Sequence, residues 1–254
     1  MPPHPGAYQA DPSLKGKLKR RVARVVHRRP LRTAPDRPMI SFTFDDAPVS
    51  ATRAGAEVLE ARGLRATYYV SAGLSGTEVP MGVCAVADDY RRVAAAGHEI
   101  ACHTWSHLDC GRASAATADA DVTRNLATLE GWGVGPIESF AYPYGDVSAG
   151  PKGVLKGRFS NLRGLHHGVI EQGTDLNQTP SVGIEGPPGP ALARRWMAQA
   201  LKRKAWLVLY THDVGPEPSF WGCTPQVLGE LVDEAVAAGF EVLTVRDAMR
   251  RLGA

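Results

Sequence analysis

The sequence predicts an α/β protein organised around a parallel sheet, either a barrel or an open doubly wound sheet. From residue 39 onward, short β-branched or aromatic runs alternate with helical stretches, the pattern of repeated βα units. Several of these runs are continuously apolar, as strands buried on both faces tend to be. The chain has 254 residues, 44% of them hydrophobic, which suits one barrel-sized domain or two small ones and supplies enough apolar surface for a core.

Strands are expected at 39–44 (MISFTF), 65–70 (RATYYV), 98–102 (HEIAC), 138–142 (ESFAY), 157–162 (GRFSNL), 181–184 (SVGI), 205–210 (AWLVLY) and 240–245 (FEVLTV). Between them lie the helical stretches TRAGAEVLEARG, VADDYRRVAAAG, TADADVTRNLATLEGW, ALARRWMAQALKRK and TPQVLGELVDEAVAAG. The last sets Val227, Leu228, Leu231, Val232 and Ala235 on one face, and four of the five end at or near a glycine. In either parallel architecture the polar residues just after the strand ends form the functional rim. The sequence contains no internal repeat and no glycine-rich phosphate loop.

The net charge of +3 hides an uneven split. Residues 1–38 carry ten Lys/Arg and two Asp, for +8, while residues 39–254 carry nineteen Lys/Arg and twenty-four Asp/Glu, for −5. The chain therefore reads as a basic extension and linker over 1–38 followed by a mildly acidic domain over 39–254. Residues 1–12 are expected to be unstructured and RPLRTAPDRP to be a linker. Between them Leu14, Leu18, Val22 and Val25 recur at near-helical spacing among cations. That amphipathic pattern suits residues 13–29 to peripheral contact with an anionic membrane; the alternative is a solvated tail or a helix packed on the body. No apolar run approaches the roughly 18 residues of a membrane span, and the N-terminus lacks the pattern of a secretory signal. The expected location is the cytoplasm, with the tail able to touch the inner membrane. Cys84, Cys102, Cys110 and Cys223 form no CxxC pair and are expected to be reduced thiols. No nucleic-acid partner is expected, because the acidic body offers no extended basic patch.

Three strand ends carry chemistry. Asp45-Asp46 follows the first strand, His103-Thr104-Trp105-Ser106-His107 the third and Thr211-His212-Asp213 the seventh. Parallel strands would bring all three to one rim. Two histidines at i and i+4 on a helical turn, with a nearby carboxylate, make three protein ligands and leave positions open for water and substrate. Adjacent carboxylates repel unless a cation or another function holds them there, although the pair could also be a helix N-cap.

Thr-Phe-Asp-Asp (43–46), Gly-His-Glu-Ile-Ala-Cys-His-Thr-Trp-Ser-His (97–107), Phe-Ala-Tyr-Pro-Tyr-Gly (140–145) and Tyr-Thr-His-Asp (210–213) stand in the order of the motifs of the polysaccharide deacetylases. The sequence resembles this family, carbohydrate esterase family 4 or the NodB-homology domain, over about residues 39–250. The resemblance implies a distorted (β/α) barrel of about seven strands with its site at the C-terminal strand ends, and metal-dependent removal of acetyl groups from N-acetylated, sometimes O-acetylated, sugars. It assigns Asp46, His103 and His107 to a divalent metal, zinc first (Zn2+) with Co2+ or Ni2+ as alternatives. It makes Asp45 the base, gives an oxyanion-binding backbone N–H to Tyr144, and makes His212 the group that protonates the departing amine. Tyr144 could instead simply close the barrel rim, and His212 could be a polar residue at a strand end. His98 is expected to be structural, Thr104 and Ser106 to order the ligand loop, and Trp105, Phe220 and Trp221 either to stack on sugar or to pack.

Two departures stand out. Many family members carry an arginine at the position of Ala141, where it pairs with the catalytic aspartate, and a later Trp-Asp motif that tunes the histidine; this sequence has neither. Arg163, just after the fifth strand, is expected to reach Asp45 instead. Tyr210 replaces the leucine usual before the last motif histidine, which changes the acetyl pocket. The implied function is a hydrolase removing N-linked acetyl from an amino-sugar glycan, oligosaccharide or glycolipid precursor. The alternatives are an O-acetyl esterase on the same scaffold and a non-catalytic carbohydrate-binding protein.

Overall fold

The computed structural model describes residues 8–254. The strands are β1 (Met39–Asp45), β2 (Thr67–Val70), β3 (Glu78–Val79), β4 (Gly82–Val83), β5 (Glu99–Cys102), β6 (Ser139–Ala141), β7 (Asn161–Arg163), β8 (Val182–Gly183), β9 (Trp206–Thr211) and β10 (Glu241–Val242). The helices are α1 (Leu14–Val25), α2 (Ala56–Glu60), α3 (Ala87–Ala95), α4 (Ala115–Gly131), α5 (Ala149–Leu155), α6 (Gly189–Arg203), α7 (Pro225–Ala237) and α8 (Val245–Arg251). The main sheet is parallel throughout, in the order β7-β6-β5-β2-β1-β9-β8, with β10 pairing the start of β1. Its two ends approach each other along residues 179–183, because Thr179 bridges Arg163 on one side while Val182 and Gly183 pair with β9 on the other. The result is the distorted parallel barrel, not the open doubly wound sheet.

Side-chain alternation along the strands decides which residues meet inside the barrel. In β1, Ile40, Phe42 and Phe44 pack in the core beneath the helices, whereas Met39 belongs to a separate inner cluster with Tyr69, Ala101, Ala141 and Val208. Asp45 is in phase with Met39. The same phase carries Glu99 and Ala101 on to His103, Asn161 on to Arg163, and Trp206, Val208 and Tyr210 on to His212. The N-terminal end of the barrel is closed by α8, whose Val245, Ala248 and Met249 join Met39 and Trp206. Buried Glu99 accepts from the Arg246 N–H at 2.8 Å and from Thr67 Oγ1 at 2.8 Å, and Thr67 Oγ1 accepts from the Val245 N–H at 2.9 Å.

Several boundaries differ from expectation. The strand read at 157–162 is β7 at Asn161–Arg163, after a turn at Gly157, which lies at φ 83°. The run read at 240–245 ends as a strand at Val242, because Thr244 caps α8 by accepting from the Asp247 N–H at 3.1 Å. α5 and the β3–β4 hairpin were not expected at all. The stretch read as a linker is laid along the body: Leu31 is fully buried, its N–H donates to Thr174 O at 2.8 Å, and Leu176 N–H donates to Arg29 O at 2.8 Å. The expectation for residues 1–7 lies outside the described residues. All four cysteines are buried and free, and no helix among the described residues is long and apolar enough to cross a membrane.

Candidate active site

The inward-facing polar residues at the C-terminal strand ends line one cavity of about 580 Å³, with Asp45, Asp46, His103, His107, Tyr144, Glu185, Tyr210 and His212 in its wall. The β3–β4 hairpin contributes Val79, Pro80 and Met81 as an apolar side. Five of the seven non-glycine residues with positive φ among the described residues sit here: Asp46 (54°), Ala47 (41°), Thr104 (63°), His107 (55°) and Tyr144 (58°). Each such residue costs about 1–2 kcal/mol, so the fold concentrates its strained backbone at the site, with His27 and Lys204 the two others among the described residues.

That strain corrects one expectation. His103 and His107 do not share a helical turn; His103 directly follows β5, and the chain then turns through the left-handed Thr104. Thr104 Oγ1 accepts from the Leu108 N–H at 2.8 Å, and Asp121 accepts from Trp105 N–H at 2.6 Å and Ser106 Oγ at 2.7 Å, which fixes the loop. His107 is thereby returned to His103, with ring centroids 5.0 Å apart.

Asp46, His103 and His107 each offer one ligand atom, and the three atoms lie within 4.8 Å of one another. Asp46 Oδ1 is buried with no hydrogen-bond partner. The Nε2 atoms of His107 and His103 stand 3.4 and 3.8 Å from it, near the roughly 3.3 Å that separates neighbouring ligands around a tetrahedral cation. His103 Nδ1 is 2.8 Å from Ala141 O, so it donates there and leaves Nε2 as the free lone pair. Burial, then the neighbouring His107, push the His103 pKa down to about 4, keeping the ring neutral. The unsatisfied carboxylate oxygen facing two imidazole nitrogens fits a divalent cation.

Asp45 is buried beside this group, and Arg163 Nη2 donates to both its oxygens, at 2.7 and 2.6 Å. Burial alone would raise the Asp45 pKa; Arg163, then His103 and His212, outweigh it and hold the carboxyl below its ordinary range. Arg163 is itself buried, with Ser181 Oγ at 3.2 Å and the rings of Tyr69 and Tyr210 at 4.8 and 5.2 Å. Ala141 and Arg163 are register partners on adjacent strands. The guanidinium thus enters at the level of Ala141 but from the neighbouring strand, and the small Ala141 leaves it room.

His212 faces Asp46 from the other side, Nε2 to Oδ2 at 3.9 Å. Its Nδ1 lies 2.7 Å from Glu185 Oε1, a residue not singled out from the sequence. Burial would lower the His212 pKa, but the hydrogen bond and charge of Glu185 raise it to about 9. The sequence signal was present: Glu185 continues the inward phase of Ser181 and Gly183, one position beyond the expected strand. Tyr8 was also missed. Its ring stacks on Tyr144 at 4.4 Å and 16°, and its hydroxyl lies 2.9 Å from Asp109 and 3.0 Å from Asp146.

The other residues fall as follows. His98 is structural, accepting from the Ala66 N–H at 2.9 Å and pairing with Glu60 at 3.0 Å. Trp105 packs under the Arg124 guanidinium at 3.2 Å, Trp221 lines the cavity, and Phe220 is exposed.

Residues 32–156 match the family described as polysaccharide deacetylase. A chitin deacetylase from Pestalotiopsis sp is 30% identical over 84 residues, covering 33% of this chain and 26% of that protein. Among solved structures, the chitin deacetylase of Colletotrichum lindemuthianum is similar with a TM-score of 0.62 at 18% identity, over 86% of this chain and 90% of that one. A family 4 acetyl xylan esterase from Clostridium thermocellum, solved with a cobalt ion, gives 0.57 at 20% identity, over 82% and 89%. At such identities the structures speak for the fold, while the matched segment carries β1 to α5 with Asp45, Asp46, His103, His107 and Tyr144. Sequence segment and fold thus agree in what they resemble: residues 32–156 match the polysaccharide deacetylase family, and the whole domain is similar in fold to solved family 4 carbohydrate esterases.

Proposed function

We propose that the chain is a metal-dependent hydrolase that removes N-linked acetyl groups from an amino-sugar glycan, oligosaccharide or glycolipid precursor. The observation that carries this reading is the buried, unpartnered Asp46 oxygen facing His103 and His107, with an ionised Asp45 beside it and His212 opposite. Binding sugar alone needs no such juxtaposition of a base and an acid.

Asp46, His103 and His107 would hold the cation, zinc by its preference for nitrogen and carboxylate ligands. When bound, it supplies a Lewis acid and lowers the pKa of water. Asp45, kept ionised by Arg163, takes the proton of the attacking water. The Tyr144 N–H is the donor proposed for the oxyanion that forms from the acetyl carbonyl. His212 carries its second proton because Glu185 accepts from Nδ1, so Nε2–H is available for the departing amine. Loss of the acetyl group as acetate leaves a free amino sugar.

The test is mass spectrometry of N-acetylated chitooligosaccharides and acetylated xylan after incubation with zinc-loaded protein, with Asp45→Asn as control. Loss of one acetyl group per event from the chitooligosaccharide, absent in the variant, supports the proposal. Release from xylan alone makes the chain an O-acetyl esterase, and release from neither makes it a binding protein.

A further inference from the structure

We propose that the outward face of α1 docks on the surface of an anionic phospholipid bilayer. An amphipathic helix on a globular body normally turns its apolar stripe inward. α1 does the reverse. It seats on the body through Gly16 and Ala23, both buried and about two turns apart. A Cβ at Gly16 would stand 2.5 Å from the Asp11 backbone oxygen, so the segment that leads into the helix crosses this face too closely for any residue but glycine. The stripe of Leu14, Leu18, Val22 and Val25 faces away, 85%, 62%, 37% and 69% exposed. These are four of the ten exposed large apolar side chains among the described residues.

The helix is held in this attitude. Buried Lys152 donates from Nζ to Ala23 O and to Asp175, each at 2.6 Å, and Arg20 pairs with Asp146 at 3.8 Å. Rolling the stripe inward would break the Lys152 contact and leave a buried ammonium short of a partner. Stripe and body therefore move together.

Charge selects what covers the stripe. Residues 14–25 contain six Lys/Arg and no Asp/Glu. At 3.6 residues per turn, Lys15 and Lys19 flank the stripe on one side and Lys17 and Arg21 on the other. A second copy would set six cations against six. An anionic lipid surface takes both features: the apolar side chains enter the boundary between headgroups and acyl chains, and the flanking cations reach the phosphates. Tyr8, in the cavity wall, lies six residues ahead of the helix. Docking thus keeps the cavity near lipid-linked saccharides, a consequence that rests on the function proposed above; the docking itself does not.

The experiment is co-sedimentation of the full chain with vesicles of phosphatidylcholine alone and of an even phosphatidylcholine–phosphatidylglycerol mixture, beside sedimentation velocity without lipid. The wild type is expected to sediment with the anionic vesicles only, and less as salt rises. Leu14→Ser/Leu18→Ser/Val25→Ser and, separately, Lys15→Glu/Lys17→Glu/Arg21→Glu should each lower partitioning by roughly ten-fold or more. Acetate release from a soluble substrate should be unchanged in the serine variant, so failure of docking and failure of the enzymatic reading are distinguishable. Equal vesicle binding by the serine variant, or none by the wild type, overturns the proposal. A dimer that the serine substitutions dissolve would also overturn it, giving the face to a second copy.

Discussion

Arg163 and Asp45 meet inside the barrel from β7 and β1, with three strands between them in the sheet and 118 positions between them in sequence. One guanidinium nitrogen serves both carboxylate oxygens, and the rings of Tyr69 and Tyr210 lie 4.8 and 5.2 Å from the guanidinium carbon. Removing one member of a buried pair strands the other charge, at a cost of about 3–5 kcal/mol. Arg163→Ala is therefore expected to lower thermal stability and to reduce turnover by roughly 10²-fold or more, as loss of a general base does. The lowered Asp45 pKa means the pair's stabilisation is fully present above the unfolded carboxylate value of about 3.9 and fades as pH falls from there through the lower folded value. In Arg163→Ala the acid limb of the rate profile should move up in pH. Denaturation and turnover measurements on Arg163→Ala, Asp45→Asn and the double variant check this; wild-type turnover in Arg163→Ala contradicts it.

Glu185 sets the alkaline side. It raises the His212 pKa to about 9. The interaction therefore stabilises the fold fully below the unfolded histidine value of about 6.5 and is lost as pH rises from there through about 9. If protonated His212 is the acid, the rate should fall near that value on the alkaline side. Glu185→Gln keeps a hydrogen-bond acceptor but removes the charge, so the limb should move toward 6.5. Comparing rate profiles of wild type and Glu185→Gln is the check. An unmoved alkaline limb would mean that His212 is not the group titrating there.

Much of this site was legible because parallel strands expose their chemistry with a period of two. Asp45, His103 and His212 lie in phase with inward residues of β1, β5 and β9, and each closes a recognisable apolar run. Arg163 was legible only as a substitute for a residue absent at Ala141, since nothing local distinguishes it from other arginines. Glu185 was missed because the expected strand stopped at Ile184, one step before the inward position. Tyr8 had no periodic signal, as its place depends on a long-range stack and two distant aspartates. α5 was missed for a different reason: AGPKGVL combines two glycines and a proline, and packing rather than propensity makes it a helix.

The unpartnered Asp46 oxygen leads to a prediction that needs no substrate. A ligand that binds only the folded chain stabilises it by about 2.7 kcal/mol at one hundred times its dissociation constant. For a chain of this size that is an increase in melting temperature of roughly 5–10 °C. Adding zinc to chelator-treated wild type should produce such an increase, and Asp46→Ala should abolish it along with bound metal measured by elemental analysis. His98→Gln, outside the ligand group, should retain the increase. A zinc-induced shift that survives Asp46→Ala would place the cation elsewhere.

Tyr8 bears on how sugar enters. It covers one face of Tyr144, whose ring also meets His107 at 4.5 Å, so a chain of three rings runs from the N-terminal segment to the ligand group. Two carboxylates accept from its hydroxyl and hold it there; burial, then the Asp109 hydrogen bond, raise its pKa, so the proton stays on the phenol. An aromatic face is a natural platform for a sugar ring, and Tyr8 competes for this one. Tyr8→Ala should release Tyr144 and lower the KM for an N-acetylated oligosaccharide a few-fold, in line with the roughly 0.5–1.5 kcal/mol of an aromatic stack. The value of kcat should stay near wild type, because Tyr8 touches neither Asp45 nor His212. Tyr8→Phe keeps the stack but loses both hydrogen bonds, so its KM should fall between the two. If Tyr8→Ala instead raises KM, Tyr8 is part of the sugar platform and not its competitor.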